Sequence, residues 1–463
     1  MYIKELTKKL NLILISVDTL RSDHMGVYGY PKNTTPNIDK WAKDALVFTN
    51  ATTHVPSTFP SFVSFITGLS PFDTSVFNNS FGYGGPAQSV VPINKNTATL
   101  AQILKDNGLI TAAFINTESL DGELTKMNKG FDVYNQYPWL PRNGPSKKRK
   151  YKSYLNIEAA LKWLDNNKDK RFFLWVHLME PHAPYYPTND FHCKFNPAFC
   201  DEIENRELID LEKERAQLKG CQPQGLPEKK VELFKTLYDG QIGEADLLIS
   251  DILKKIQEKR IDKKTIVVFY GDHGEGFDHN FYFYHNLELY NSFVKIPFIV
   301  KYPLAENKGK IDEEIQNSQI FPTLLELMGI TYSKSDTQSI PFTSLFYDAT
   351  KKRYKKPSYL YFVNSNLSKY AIQHGEYKYI FSIKEYACLY NNWVEELYDV
   401  KKDFSETKNI IAERPDVARD LKARLLNYLS LYQLPDSLEN VAKKAQTTRL
   451  DKDAIEKFKT LGY

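Results

Sequence analysis

Five apolar runs recur along the chain with almost no polar alternation: NLILISVD (residues 11–18), LITAAFIN (109–116), FFLWVHL (172–178), TIVVFYGD (265–272) and KIPFIVKYP (295–303). A strand with one wet face alternates, so unbroken runs of this length suit strands covered on both faces. Between them lie segments with helical spacing: TATLAQILKDNG, which stops at Gly108, YLNIEAALKWLDNN, and EADLLISDILKKIQEKRI. Helix alternating with buried strand predicts an α/β fold with a mainly parallel central sheet sandwiched by helices. After about residue 350 the texture changes. PSYLYFVNSNLSKYAIQHGEYKYIFSI alternates and predicts antiparallel strands, and ETKNIIAERPDVARDLKARLLNYLSLY predicts a helix before a polar tail. The expected organisation is an α/β domain over 1–345 and a smaller C-terminal α+β subdomain with a tail over 346–463. Residues 191–235 interrupt the first domain with a charged helix and are read as an inserted lid.

In open parallel sheets, ligands bind beyond the C-terminal ends of the strands. Asp18, Asn116, His177 and Asp272 all fall at or near such ends. Asp272-His273 leaves its strand on a glycine-bounded turn that can aim both side chains at one cation. Carboxylate with imidazole suits Mn, Zn or Mg, with Ca less natural beside a histidine. The bland alternative is a turn in which Asp272 caps the next helix. Asp18 ends the first strand in the same way, while Asp23 and His24 read as capping or supporting groups. His182 stands between prolines in a loop that cannot be helical, and His285 and Lys295 follow the fourth run. One segment raises a separate question: HVPSTFPSFVSFITG (54–68) sets hydroxyls at the head of an apolar helix.

Charge and composition remove several classes. The 463 residues carry 61 Lys and Arg against 57 Asp and Glu, a net charge of +4, which gives no reason to expect a nucleic-acid partner. KKRK (147–150) reads as a solvated loop or as a basic lip steering an anion. No GxGxxG or P-loop is present. The N-terminal apolar run is too short for a signal core or a membrane span. Cys193, Cys200, Cys221 and Cys388 lack zinc spacing. The expectation is a soluble cytoplasmic protein with reduced thiols and no membrane span.

VDTLRSDHMGVYGYPKNTTPNIDKWAKDALVFTNA, WVHLMEPHAPYYP, LYDGQIGEAD, VVFYGDHGEGF and ELYDVKKDFSETKN, in this order, resemble the sulfatase family of the alkaline phosphatase superfamily. The resemblance runs from about residue 10 to 430. It implies that family's fold, a divalent cation, a small anionic ester as substrate, and a nucleophile at the head of a helix ending in Thr-Gly. The family carries Cys-x-Pro-x-Arg or Ser-x-Pro-x-Arg there, and the Cys or Ser becomes formylglycine. Aligned on Pro60 and Thr67-Gly68, the nucleophile position is Thr58 and the arginine position is Phe62. No formylglycine is therefore expected, and phosphoryl-transferring relatives use an unmodified Thr at this place.

The resemblance implies one divalent ion (Mn, Zn, Mg or Ca) on Asp18, Asp272, His273 and Thr58. It gives catalytic roles to Thr58, His182 and His285, and substrate contacts to Asn79, Asn116 and Lys295. Lys295 or Arg21 would replace the charge lost at Phe62. The expected activity is metal-dependent hydrolysis of a sulfate, phosphodiester or phosphonate ester. The alternative is a silent sulfatase-like domain that binds an anion or a partner. Oligomeric state has no signature in the sequence.

Overall fold

The structure is a computed structural model that describes residues 6–77, 91–137, 153–333, 336–337, 339–347, 360–363, 369–382 and 395–432. Eight strands form its main sheet: β1 (Asn11–Val17), β2 (Leu46–Phe48), β3 (Ile110–Ile115), β4 (Val133–Gln136), β5 (Phe172–Leu178), β6 (Thr265–Gly271), β7 (Phe298–Lys301) and β8 (Gly309–Ile311). Their spatial order is β8-β2-β7-β6-β1-β5-β3-β4. Only β7 runs against its neighbours. Each of the five apolar runs contains one of these strands. The other three, β2, β4 and β8, span only three or four residues, too few to show a period.

The missing alternation has a direct cause. Ile13, Ile15 and Val17 of β1 enter one apolar cluster, and Leu12 and Leu14 enter another on the opposite face. One face is covered by α1 (Thr58–Thr67). The other is covered by α2 (Tyr154–Asn167) and α4 (Glu228–Glu258). Helix α4 runs unbroken through Gly240 and Gly243. A Cβ at Gly240 would lie 2.6 Å from the Phe191 carbonyl oxygen, and one at Gly243 would lie 2.8 Å from the Phe191 ring. These glycines let the chain at Phe191 lie directly on the helix.

The 191–235 segment contains two helices where the sequence suggested one, Cys200–Glu204 and α3 (Leu208–Leu218). It also contributes a short strand, Gly220–Cys221, which pairs with Phe281–Tyr282. The reduced-thiol expectation is corrected here. Cys193 and Cys200 form a disulfide across the start of this segment, and Cys221 is also disulfide-bonded. The seven-residue separation gave no zinc-like or framework spacing, so only the fold reveals the pairing.

Four antiparallel strands, Leu360–Val363, Lys369–His374, Tyr377–Ser382 and Glu395–Asp399, make the second sheet in chain order. Helix α5 (Pro415–Leu429) packs on it. This unit is fastened to the segment that leads into α1. The His54 carbonyl accepts the Val363 N–H at 3.0 Å, and the His54 ring lies 3.0 Å from both the Tyr361 carbonyl and Ser318 Oγ. No helix among the described residues is long and apolar enough to cross a membrane.

Two predictions follow from this packing. Burial pushes the His54 imidazole down to about 4. The folded protein therefore resists protonation that the unfolded chain accepts near pH 6.5, and stability falls as pH drops from about 6.5 to about 4. His54 contributes a slope of about 1 kcal/mol per pH unit and about 3 kcal/mol in all. His54→Asn should flatten the pH dependence of urea midpoints by that amount; parallel wild-type and variant curves would refute it. Gly240→Ala should destabilise by about 1–3 kcal/mol, because the clash with backbone exceeds a helix-propensity gain of about 1 kcal/mol. A thermal midpoint at or above wild type would count against the close approach.

Candidate active site

Register sets the centre of the site. Val17 of β1 is level with Leu178 of β5 and Gly271 of β6, so the next residues, Asp18 and Asp272, emerge side by side. Immediately after Asp18 the chain turns through Thr19 with φ of 52°. A β-branched residue in that region is strained by about 1–3 kcal/mol. The turn is held from three sides: Thr19 N–H donates to Asp272 Oδ1 at 3.1 Å, the Tyr238 hydroxyl of α4 donates to the Thr19 carbonyl at 2.6 Å, and Arg21 N–H donates to that hydroxyl at 3.0 Å.

Helix α1 brings the nucleophile candidate. Its first residue is Thr58, it ends at Gly68 with φ of 70°, and all ten of its residues are buried. Pro60 is tolerated because a first-turn N–H has no partner within the helix. The hydroxyl at Ser61 anchors the helix to the strand tip. Ser61 Oγ meets the Asp272 carbonyl at 2.8 Å, the Tyr270 hydroxyl at 2.6 Å and Thr53 Oγ1 at 3.0 Å, and Asn317 donates to the Ser61 carbonyl at 3.0 Å. Thr58 Oγ1 then lies 3.5 Å from Asp18 Oδ2 and 3.4 Å from His273 Nε2. The hydroxyls in this apolar helix thus do two jobs: Ser61 holds the helix, and Thr58 is held at the carboxylates.

Imidazoles ring the same point. His273 Nδ1 faces the Gly274 carbonyl at 2.9 Å, which leaves Nε2 toward Asp18 and Asp272, 3.7 Å from an oxygen of each. The His285 ring is 4.5 Å from that of His273 and 5.1 Å from that of His182. His177 Nε2 approaches Asp18 Oδ2 at 3.7 Å, while its Nδ1 meets Ser16 Oγ at 2.9 Å.

Without a cation the two buried carboxylates oppose each other's ionisation. Burial pushes the Asp272 carboxyl well above its ordinary value, and the charge of Asp18 pushes it further. Burial acts the same way on Asp18, but the His182, His177 and His273 imidazoles outweigh it and hold Asp18 low. Burial, then His285, lowers His273 to about 3, so its Nε2 is a neutral lone-pair donor. Asp18 Oδ1 and Asp272 Oδ2 are buried without hydrogen-bond partners. Donor atoms of Asp18, Asp272 and His273 lie within 4.8 Å of one another. Two orphaned carboxylate oxygens and one imidazole lone pair fit a divalent ion. A second grouping, His192, Cys193 and Glu204, has its sulfur committed to the disulfide and offers no comparable site.

The remaining candidates are placed as follows. Asn116 sits at the tip of β3, donates to Ser153 Oγ at 2.6 Å and has Oδ1 buried without a partner; no hydrogen bond joins it to Thr58 or the carboxylates. Lys295 does not join the cluster. Its ammonium donates to Asn50, and burial, then the nearby Lys378 charge, lowers it to about 8. Arg21 is also committed, to Asp23 at 2.7 Å and Asp278 at 3.0 Å. Neither cation replaces the family arginine. Phe62 packs instead under the site, 5.3 Å from the His177 ring and 4.9 Å from Trp175. Asn79 lies outside the described residues. Sequence reasoning missed Glu275, which is fully buried beside His285; its signal was the acidic residue two places after His273.

These features define a divalent-metal centre of the kind that hydrolyses sulfate or phosphoryl esters. The sulfatase family model matches residues 10–330, and the chain belongs to that family. A second model, N-sulphoglucosamine sulphohydrolase, C-terminal, matches residues 277–458. An ulvan-active sulfatase from Formosa agariphila is 26% identical over 352 residues, covering 70% of this chain and 62% of that protein. Two solved structures share the fold. A complex with D-glucosamine-2-N,6-O-disulfate gives a TM-score of 0.72 at 18% identity, covering 93% of this chain and 100% of that one. A phosphonate monoester hydrolase of Agrobacterium radiobacter gives 0.70 at 16% identity, covering 92% and 96%.

Asp272→Asn should abolish metal binding, read by elemental analysis of dialysed protein. Unchanged metal content would rule out the assigned ligand set.

Proposed function

We propose that this chain is a metal-dependent esterase that uses Thr58 as an unmodified nucleophile on a singly charged ester, a phosphodiester or phosphonate monoester ahead of a sulfate. The observation that carries this reading is the position of Thr58 Oγ1, within 3.5 Å of both Asp18 and His273 at the head of a buried helix. The helix start offers N–H groups and a favourable dipole to an anion. Asp18, Asp272, His273 and Thr58 would hold the ion. A divalent cation bound there supplies Lewis-acid activation of a hydroxyl and of the ester's non-bridging oxygen.

The protein's own groups account for the rest. Asp18 Oδ2 is placed to accept the hydrogen bond of the Thr58 hydroxyl. Attack by Oγ forms a covalent Thr58 ester: its proton passes to Asp18 Oδ2, the bond to the leaving oxygen breaks, and protonated His182 or His285 gives that oxygen its proton. Water then displaces Oγ, giving one proton to that imidazole while Asp18 returns its own to Oγ, which restores the hydroxyl. Phe62 supports the preference for a single charge, since an aromatic ring cannot neutralise the second charge of a phosphomonoester. The phosphonate monoester hydrolase among the fold neighbours supports the phosphoryl choice. The Cys193–Cys200 disulfide supports an oxidising setting over the cytoplasmic one expected, because such bonds persist outside reducing compartments.

Thr58→Ala should lower kcat on p-nitrophenyl phenylphosphonate or bis-p-nitrophenyl phosphate by about a thousandfold or more, while Asp18, Asp272 and His273 retain the metal, with at most a modest loss of affinity. Turnover of p-nitrophenyl sulfate alone would reverse the substrate order. Full activity in the variant would end the nucleophile assignment.

A further inference from the structure

We infer that Arg215, on the inserted helix α3, is a positioning residue for His285, acting through Phe283 and through Tyr185 and Glu275; this rests on the function proposed above. A guanidinium buried on an otherwise charged, exposed helix needs a structural reason, and Arg215 is 6% exposed. Glu212 on the same helix holds two of its N–H groups at 2.8 and 2.7 Å. The third contact leaves the helix: Nη1 donates to the Phe283 carbonyl at 2.7 Å. Phe283 stands two residues before His285 and has φ of 54°, a conformation that a bulky residue keeps only when its surroundings enforce it.

The second route runs through rings and a carboxylate. The Arg215 guanidinium lies 5.4 Å over the Tyr185 ring. The Tyr185 hydroxyl donates to Glu275 Oε2 at 3.0 Å, and Glu275 Oε1 faces His285 Nδ1 at 3.4 Å. A carboxylate only accepts, so this contact assigns one proton to Nδ1; the proton given to the leaving oxygen is a second one, carried on Nε2 at the other side of the ring. One side chain from the insertion thus fixes both the backbone that carries His285 and the partner that orients its imidazole. The insertion is part of the apparatus that presents a proton to the leaving oxygen.

The test is the dependence of kcat/KM on leaving-group acidity, because a lost proton donor hurts poor leaving groups most. Full-length, manganese-loaded protein is assayed on phenylphosphonate monoesters of p-nitrophenol, p-chlorophenol and phenol. Arg215→Gln should lose about 10–100 times more activity on the phenyl ester than on the p-nitrophenyl ester. Tyr185→Phe should tilt the series the same way and serves if the arginine variant does not fold. In a His285→Gln background neither substitution should add further tilt. Equal losses across the three esters, or a tilt that persists without His285, would overturn the inference while leaving the functional reading intact. A wild-type protein with no Thr58-dependent turnover of any ester would overturn both.

Discussion

The fold has to accommodate two carboxylates at neighbouring strand tips, both sealed from water. An ionised carboxylate taken into a protein interior without compensation is penalised by several kcal/mol, about the net stability of a domain. Here the penalty is doubled, because the register of the central strands sets Asp18 and Asp272 next to each other. The surrounding structure is arranged to tolerate this. Backbone N–H groups of Thr19 and His273 satisfy one oxygen of Asp272, and three imidazoles face Asp18. One oxygen on each carboxylate is left for a cation. The strained Thr19 turn, its clamp by Tyr238, and the Ser61 network serve the same end, which is to keep those two oxygens and Thr58 in one place.

The exchange of an arginine for Phe62 changes the character of the site. A guanidinium at this position would bring a permanent charge beneath the nucleophile. The phenyl ring brings none, and it packs edge-on to His177 and against Trp175 and Tyr270. Among the described residues, Arg21 and Lys295 are engaged with other partners and do not pair with a group of the site.

What the sequence disclosed follows the range of the interactions concerned. Buried strands were legible because β1, β3, β5 and β6 each have both faces covered, and continuous apolar runs are the signature of that state. Asp18, Asp272 and His273 were legible because strand tips in a parallel sheet are a general location for ligands. Thr58 needed the family resemblance, since a threonine at a helix start is usually only a cap. Other contacts were out of reach because they join residues distant in sequence. The ammonium of Lys295 pairs with Asn50, 245 residues away. Glu275 carried only its place two residues after His273 as a local mark, because its contacts come from Tyr185 and His285 folding onto it. The Cys193–Cys200 bond was likewise invisible to spacing rules.

The placement of β1 between β5 and β6 has a consequence for how the molecule comes into being. Thr19 and Asp272, which share the hydrogen bond at the heart of the site, are 253 residues apart. A chain emerging from the ribosome at about 5–20 residues per second exposes the first half of the centre many seconds before the second half exists. During that interval β1 lacks both of its neighbours until β5 is made and one of them thereafter, and its apolar edges are open to wrong pairing. The metal centre is accordingly a late product of folding. A cation that needs both carboxylates can settle only once β6 has joined β1.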